Sequence, residues 1–121
     1  MRRKTQAVLL LLSVVGLAAY GWWDYRELYR AREAALKQSL HAMRDVLGQF
    51  QSDRGRPPGS LAELVRAGYL GRVPTDPFTG RDDTWIILTA ADPRRRGRAG
   101  VVEVRSGSGR TSLAGEPLSR W

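Results

Sequence analysis

Cysteine is absent from the 121 residues. Its absence excludes a disulfide, a thiol nucleophile, a thiolate-held metal and an acylated-cysteine anchor, but it does not argue against export. Histidine occurs once, at His41. It has no second imidazole and no acidic residue at ligand spacing beside it, so it reads as a structural or solvent-facing residue. No nucleophile–base constellation, phosphate-cradling glycine loop or metal-ligand spacing occurs. The chain therefore reads as a non-enzyme with no catalytic, cofactor-binding or metal-ligating residues. Charge of either sign is missing between Lys4 and Asp24. Proline does not occur before Pro57, and Gly48 is the only glycine between Gly21 and Gly55. The first half of the chain thus lacks proline and is poor in glycine, so little in it stops a helix.

What is present there is one helical pattern with two kinds of surface. Ala7 to Trp23 is apolar or nearly so on every side, at the short end of what spans a bilayer. Arg2, Arg3 and Lys4 precede it, which predicts a cytoplasmic amino terminus and a periplasmic remainder. Tyr20, Trp22, Trp23 and Tyr25 cluster at its far end, where amphipathic rings favour the headgroup layer. Beyond Asp24 the charges return, but Leu36, Leu40, Met43, Leu47 and Phe50 recur at spacings of four and three, one face of a helix. The expectation is a single helix from Ala7 to about Gln51, ~45 residues and ~68 Å long. Two alternatives stay open: a break near Gly21-Trp22, and a cleaved signal peptide with Gly16 and Ala18-Ala19 as its small residues. Against cleavage, aromatic residues follow the small ones at once and the helical pattern runs on.

Residues 24–121 form the expected globular part, with 24–51 as the second half of the long helix and 1–23 as the basic start and anchor. Net charge is +8, and its densest basic run is Arg94-Arg95-Arg96-Gly97-Arg98. Glu33–Lys37 and Glu27–Arg30 are helical pairs of opposite charge on a solvated face. Residues 52–59 are a loop by composition, and Ser60 with Glu63 forms a capping box that opens a short helix closed by Gly68. Asp76-Pro77-Phe78-Thr79-Gly80 is turn chemistry, with Phe78 as its anchor on the core. Thr84–Thr89 and Val101–Val104 read as strands, and Thr111–Leu113 as a short third strand after Ser106-Gly107-Ser108-Gly109. Trp121 is placed to fold back on the sheet. The fold class is α+β: a long helix, a short helix, then an antiparallel sheet of two to four strands. The stripe from Leu36 to Phe50 is expected to pack on the sheet face made by both main strands, with Phe78 and Trp121 at its ends.

The order and spacing of four of these segments resemble the major-pseudopilin family of type II secretion, within the type IV pilin-like proteins. They are Ala31-Arg32-Glu33-Ala34-Ala35-Leu36-Lys37-Gln38; Ser60-Leu61-Ala62-Glu63-Leu64-Val65 with Gly68-Tyr69-Leu70; Val73-Pro74-Thr75-Asp76-Pro77-Phe78-Thr79-Gly80; and Val104-Arg105-Ser106-Gly107-Ser108 with Ser119-Arg120-Trp121. The resemblance covers about residues 24–121. It implies a pilin-like fold, with a long N-terminal helix packed on a small antiparallel sheet. It also implies a single-pass inner-membrane subunit of a short periplasmic filament that drives folded proteins through an outer-membrane channel. Its partners would be the inner membrane, other pseudopilins or secretion-machine subunits, and copies of itself.

The chain departs from that family in two places. The family begins with a basic leader cut before Gly-Phe-Thr-Leu-Ile-Glu, whereas Thr5-Gln6-Ala7 runs straight into the apolar stretch with no Gly-Phe pair and no acidic residue before Asp24. The expectation is a retained N-terminal segment and an accessory or minor role. The family also often binds calcium, which needs six to eight oxygen ligands. Only Glu103 and Glu116 are acidic between Arg94 and Trp121, and Ala114 sits where relatives often carry Asp, so no full calcium site is expected. The competing reading is a secreted or anchored periplasmic binding module, including a DNA-uptake pilin-like protein that meets phosphates through Arg94–Arg98. No aromatic residues interleave that run for base stacking, which disfavours nucleic acid as a partner.

Overall fold

The computed structural model describes residues 2–91 and 99–121. The Arg94–Arg98 run lies outside the described residues. Helix α1 is continuous over Arg2–Arg54, 53 residues, so the break near Gly21-Trp22 does not occur. It starts earlier and ends later than the apolar pattern alone suggests, because Arg, Lys and Gln propagate a helix as readily as leucine. Gly16, Gly21 and Gly48 sit inside it with nothing within 4 Å of where a Cβ would lie. The helix ends where Gly55 adopts φ 68° and its N–H reaches the Gln51 carbonyl at 2.9 Å.

The chain divides into two compact units, Met1–Ala31 and Arg32–Trp121. The first is helix alone. Its large apolar side chains from Val8 to Leu28 are exposed, between 55% and 76%. By length and composition this stretch is apolar enough to cross a membrane.

The second unit holds the end of α1, helix α2 (Leu61–Arg66), strands β1 (Ile86–Ala91) and β2 (Ala99–Arg105), and a 3-10 turn at Leu118–Arg120. Ser60 caps α2, its Oγ accepting the Glu63 N–H at 3.2 Å, while Glu63 Oε2 accepts the Gly59 N–H at 2.6 Å. At the other end Gly68 adopts φ 83°. Its N–H bonds to Val65 O and the Tyr69 N–H to Leu64 O, a Schellman closure that carries Tyr69 back onto the core. The fold is α+β, with the helix packed on a two-stranded antiparallel sheet.

The stripe of α1 is sunk in the core: Leu36, Met43 and Phe50 are fully buried, with Leu40 at 2% and Leu47 at 6% exposure. Its partners are Val101 and Val104 of β2, Leu64 of α2, Trp85 and Leu118, with Phe78 and Trp121 half-buried against them. Two expectations about the sheet are corrected. The first strand runs from Ile86, not Thr84, and all its residues are exposed, so it is not half of the core face. Trp85, just before it, is buried instead. The stripe is already covered by β2, Leu64 and Leu118, which leaves β1 as an outer strand paired only to β2. Nor is Thr111–Leu113 a strand. Thr111 makes a single bridge to Pro117 and the segment turns at Gly115, φ 86°.

Strand β2 reaches the core through a bulge. Its register steps from Leu88↔Glu103 to Thr89↔Val101, so Val102 is an extra residue. Residues three apart in a regular strand face opposite sides, and the inserted residue puts Val101 and Val104 on the same buried side.

Candidate functional site

The polar centre of the second unit is built on Asp76, which is fully buried. Asp before Pro favours a turn in which the carboxylate reaches its own backbone two residues on. Asp76 Oδ1 accepts the Phe78 N–H at 2.9 Å, and the turn is closed by Gly80 N–H to Asp76 O and Asp76 N–H to Arg81 O, both 2.8 Å. Gly80 takes φ 72°, which glycine adopts without the Cβ penalty. Thr79 Oγ1 lies 2.6 Å from Thr84 Oγ1 and also accepts the Arg81 N–H at 3.3 Å. Pro77 and Phe78 are half-buried, Phe78 lying against the core.

The second carboxylate oxygen joins this turn to a loop thirty residues away. Ser106 donates to Asp76 Oδ2 at 2.6 Å. The same Ser106 Oγ accepts the Ser108 N–H, and Ser108 Oγ accepts the Arg110 N–H, each at 3.1 Å. Between the two serines, a Cβ on Gly107 would fall 1.8 Å from Thr84 O, so only glycine allows the loops to approach this closely. Trp85 Nε1 donates to Pro74 O at 2.8 Å and closes the other side. Asp76, Pro77, Phe78, Thr79, Gly80, Ser106, Gly107 and Ser108 are thus one interlocked group. Both Asp76 oxygens are occupied by donors, so the carboxylate is held as an acceptor and not presented to a substrate.

Trp121 belongs to a second group, against α1. Arg44 donates through Nε to Glu103 Oε1 at 2.7 Å and through Nη2 to the Val104 carbonyl at 3.1 Å and to the Trp121 main-chain oxygen. One guanidinium thereby ties α1, β2 and the last residue together. Burial pushes the Glu103 carboxyl up, but hydrogen bonds from Arg44 and the Val104 N–H outweigh it and hold the group below the usual carboxylate range. Lys37 Nζ sits 4.5 Å from the centre of the Trp121 ring, and Trp121 Nε1 donates to Glu116 Oε2 at 3.3 Å. Glu33 accepts the Leu113 N–H at 2.6 Å. Glu33 and Lys37 are therefore engaged with the C-terminal segment and not with each other, whereas Glu27–Arg30 forms at 3.2 Å.

His41 faces Asp45 one turn on, at 3.7 Å, with both side chains open to solvent. An acidic neighbour is thus present where the sequence reading saw none. Among the described residues no three His, Cys, Asp or Glu side chains gather into a metal-holding group. Of the two acidic residues between Arg94 and Trp121, Glu103 is paired with Arg44, and Glu116 accepts the Trp121 indole N–H.

Sequence reasoning missed Arg44, Gly100 and the Asp53–Tyr69 bond. An arginine two turns after Lys37, on a helix edge otherwise read as solvated, carries no local mark of a partner 59 to 77 residues away. Gly100 is buried against Pro57, where a Cβ would fall 2.2 Å from Pro57 Cγ, and next to it the Val101 N–H binds Pro58 O at 2.7 Å. Tyr69 donates to Asp53 Oδ2 at 2.6 Å, which raises the phenol above its usual range. Comparison with protein-family models, with curated proteins and with solved structures finds no match to this chain.

Proposed function

We propose that this protein is a membrane-anchored, pseudopilin-like subunit of a type II secretion or type IV pilus-like machine, with a structural and not a catalytic role. The observation that carries the reading is the division of labour along α1. Its first part is apolar on all sides and wholly exposed, while its last part is amphipathic and buried against β2. A helix of that kind anchors a small rigid unit to a membrane and holds it there. The interlocked Asp76 and Ser106 loops support a rigid unit, since no buried side-chain polar atom among the described residues lacks a partner. The proposed topology is single-pass, with the basic start in the cytoplasm and residues 24–121 in the periplasm. Partners would be other pilin-like subunits that meet it through the exposed apolar helix. The nucleic-acid reading rests on Arg94–Arg98, outside the described residues, and is not carried further.

The absence of cysteine supplies a clean test. Single cysteines at Leu9, Leu12 and Leu17, in cells that hold the secretion or pilus genes, should crosslink to a second pilin-like subunit at some positions and not others. A chain that stays monomeric at every position, and whose loss leaves outer-membrane export unchanged, would overturn the proposal.

A further inference from the structure

The end of the exposed apolar stretch carries an arrangement that anchoring alone does not require. Trp22 and Trp23 are 67% and 72% exposed. One turn beyond Trp22, the Arg26 guanidinium lies over its ring at 5.3 Å. Arg30 is neutralised by Glu27 at 3.2 Å. Arg26 has no hydrogen-bond or ion-pair partner among the described residues, and Asp24, two residues earlier, projects about 200° away around the helix. Trp23, Arg26, Glu27 and Arg30 line one shallow groove. The structure therefore presents a single uncompensated cation, oriented by an aromatic face, beside rings that favour a membrane interface.

Depth makes the arrangement specific. Ala7 to Trp23 spans ~25 Å as helix, short of a hydrocarbon core of about 30 Å. A short span draws its flanks inward. Arg26 lies only ~4.5 Å along the axis beyond Trp23, inside a headgroup layer of about 5–7 Å on each side. We infer that Trp22, Trp23 and Arg26 form a binding site for the phosphate of an anionic phospholipid, with Arg26 as the charge that recognises it and Glu27 pairing with Arg30 on the flank of the same groove. This inference rests on the membrane-anchored reading.

The test reconstitutes the full chain in phosphatidylcholine vesicles with a minor fraction of phosphatidylglycerol whose acyl chains are brominated. Bromine quenches nearby indoles, and a Trp22→Phe/Trp23→Phe chain gives the contribution of Trp85 and Trp121. Brominated phosphatidylglycerol should quench more than brominated phosphatidylcholine at the same fraction. Arg26→Gln should lower that preference about fivefold, and Glu27→Gln should raise it by freeing Arg30. Arg26→Lys should fall between, keeping charge but losing the planar stack. Equal quenching by the two lipids, or no change in Arg26→Gln, would overturn the site. So would loss of the preference on adding millimolar inorganic phosphate at constant ionic strength, which would point to a free-phosphate pocket. Resistance of the chain to alkaline extraction from membranes tests the anchor itself. Extraction of the wild type would sink the membrane reading, whereas retained chain without lipid preference would sink the phosphate site alone.

Discussion

Asp76 accepts from the half-buried Phe78 N–H with one oxygen and from Ser106 with the other, and the carboxylate and Ser106 are both fully buried. Asp76→Ala should cost on the order of 2–4 kcal/mol, because each stranded buried group carries about 1–3. Ser106→Ala should cost less, since the carboxylate keeps its backbone donor. Thermal unfolding of the detergent-solubilised chain checks both, and equal melting temperatures for wild type and Asp76→Ala would refute the interlock. Gly107→Ala meets the Thr84 carbonyl and should destabilise at least as much as an overpacked core residue, about 1–3 kcal/mol. Glu103 gives a pH signature. Its folded-state pKa lies below the ordinary value, so its contribution is present above the unfolded carboxylate pKa and is lost as pH falls through the folded one. Acid should therefore erode stability, and Glu103→Gln should flatten that acid limb in a melting profile taken against pH. The turn chemistry of Asp76 to Gly80 was legible because Asp-Pro and Gly have local reasons to be where they are. That the turn's partner is Ser106 was not, since a serine carries no sign of which distant carboxylate it will meet.

Among the elements, the buried face of α1 was the most legible. Spacings of four and three point five side chains one way whatever they pack against. Leu40→Ala or Leu47→Ala should cost about 2–5 kcal/mol. Leu88→Ala on β1, where the side chain is 38% exposed, should cost far less. A melting comparison in which Leu88 matters as much as Leu40 would show that β1 is covered in a way the sheet does not display. The sheet was less legible. Thr-Trp-Ile-Ile-Leu-Thr reads as a core strand by propensity, yet the core takes only Trp85 from it. Hydrophobicity sets that a strand forms, but the width of the facing helix sets whether a second strand is needed. The bulge at Val102 is hidden for the same reason. Deleting Val102 should be tolerated about as well as Val102→Ala, because it leaves Val101 and Val104 two apart in a regular strand and so still on one side.

For the whole molecule, the basic start and single apolar stretch predict one crossing with residues 24–121 outside the cytoplasm. A reporter fused after Trp121 should be active only in the periplasm, and activity confined to the cytoplasm would reverse the assignment. The Arg44 node has a consequence for timing. Its partners come 59, 60 and 77 residues later in the chain. A protein threaded across a membrane from its beginning delivers the greasy side of α1 first and its covering strand last. At synthesis rates of about 5–20 residues per second, that side waits roughly 4–15 s for the Trp121 oxygen to arrive. Under the proposed topology, Leu36 to Phe50 is an open adhesive strip during that interval. The protein's need for a holding chaperone should therefore be set by the speed of its own export, with slow translocation, and not low final stability, as the condition under which it aggregates.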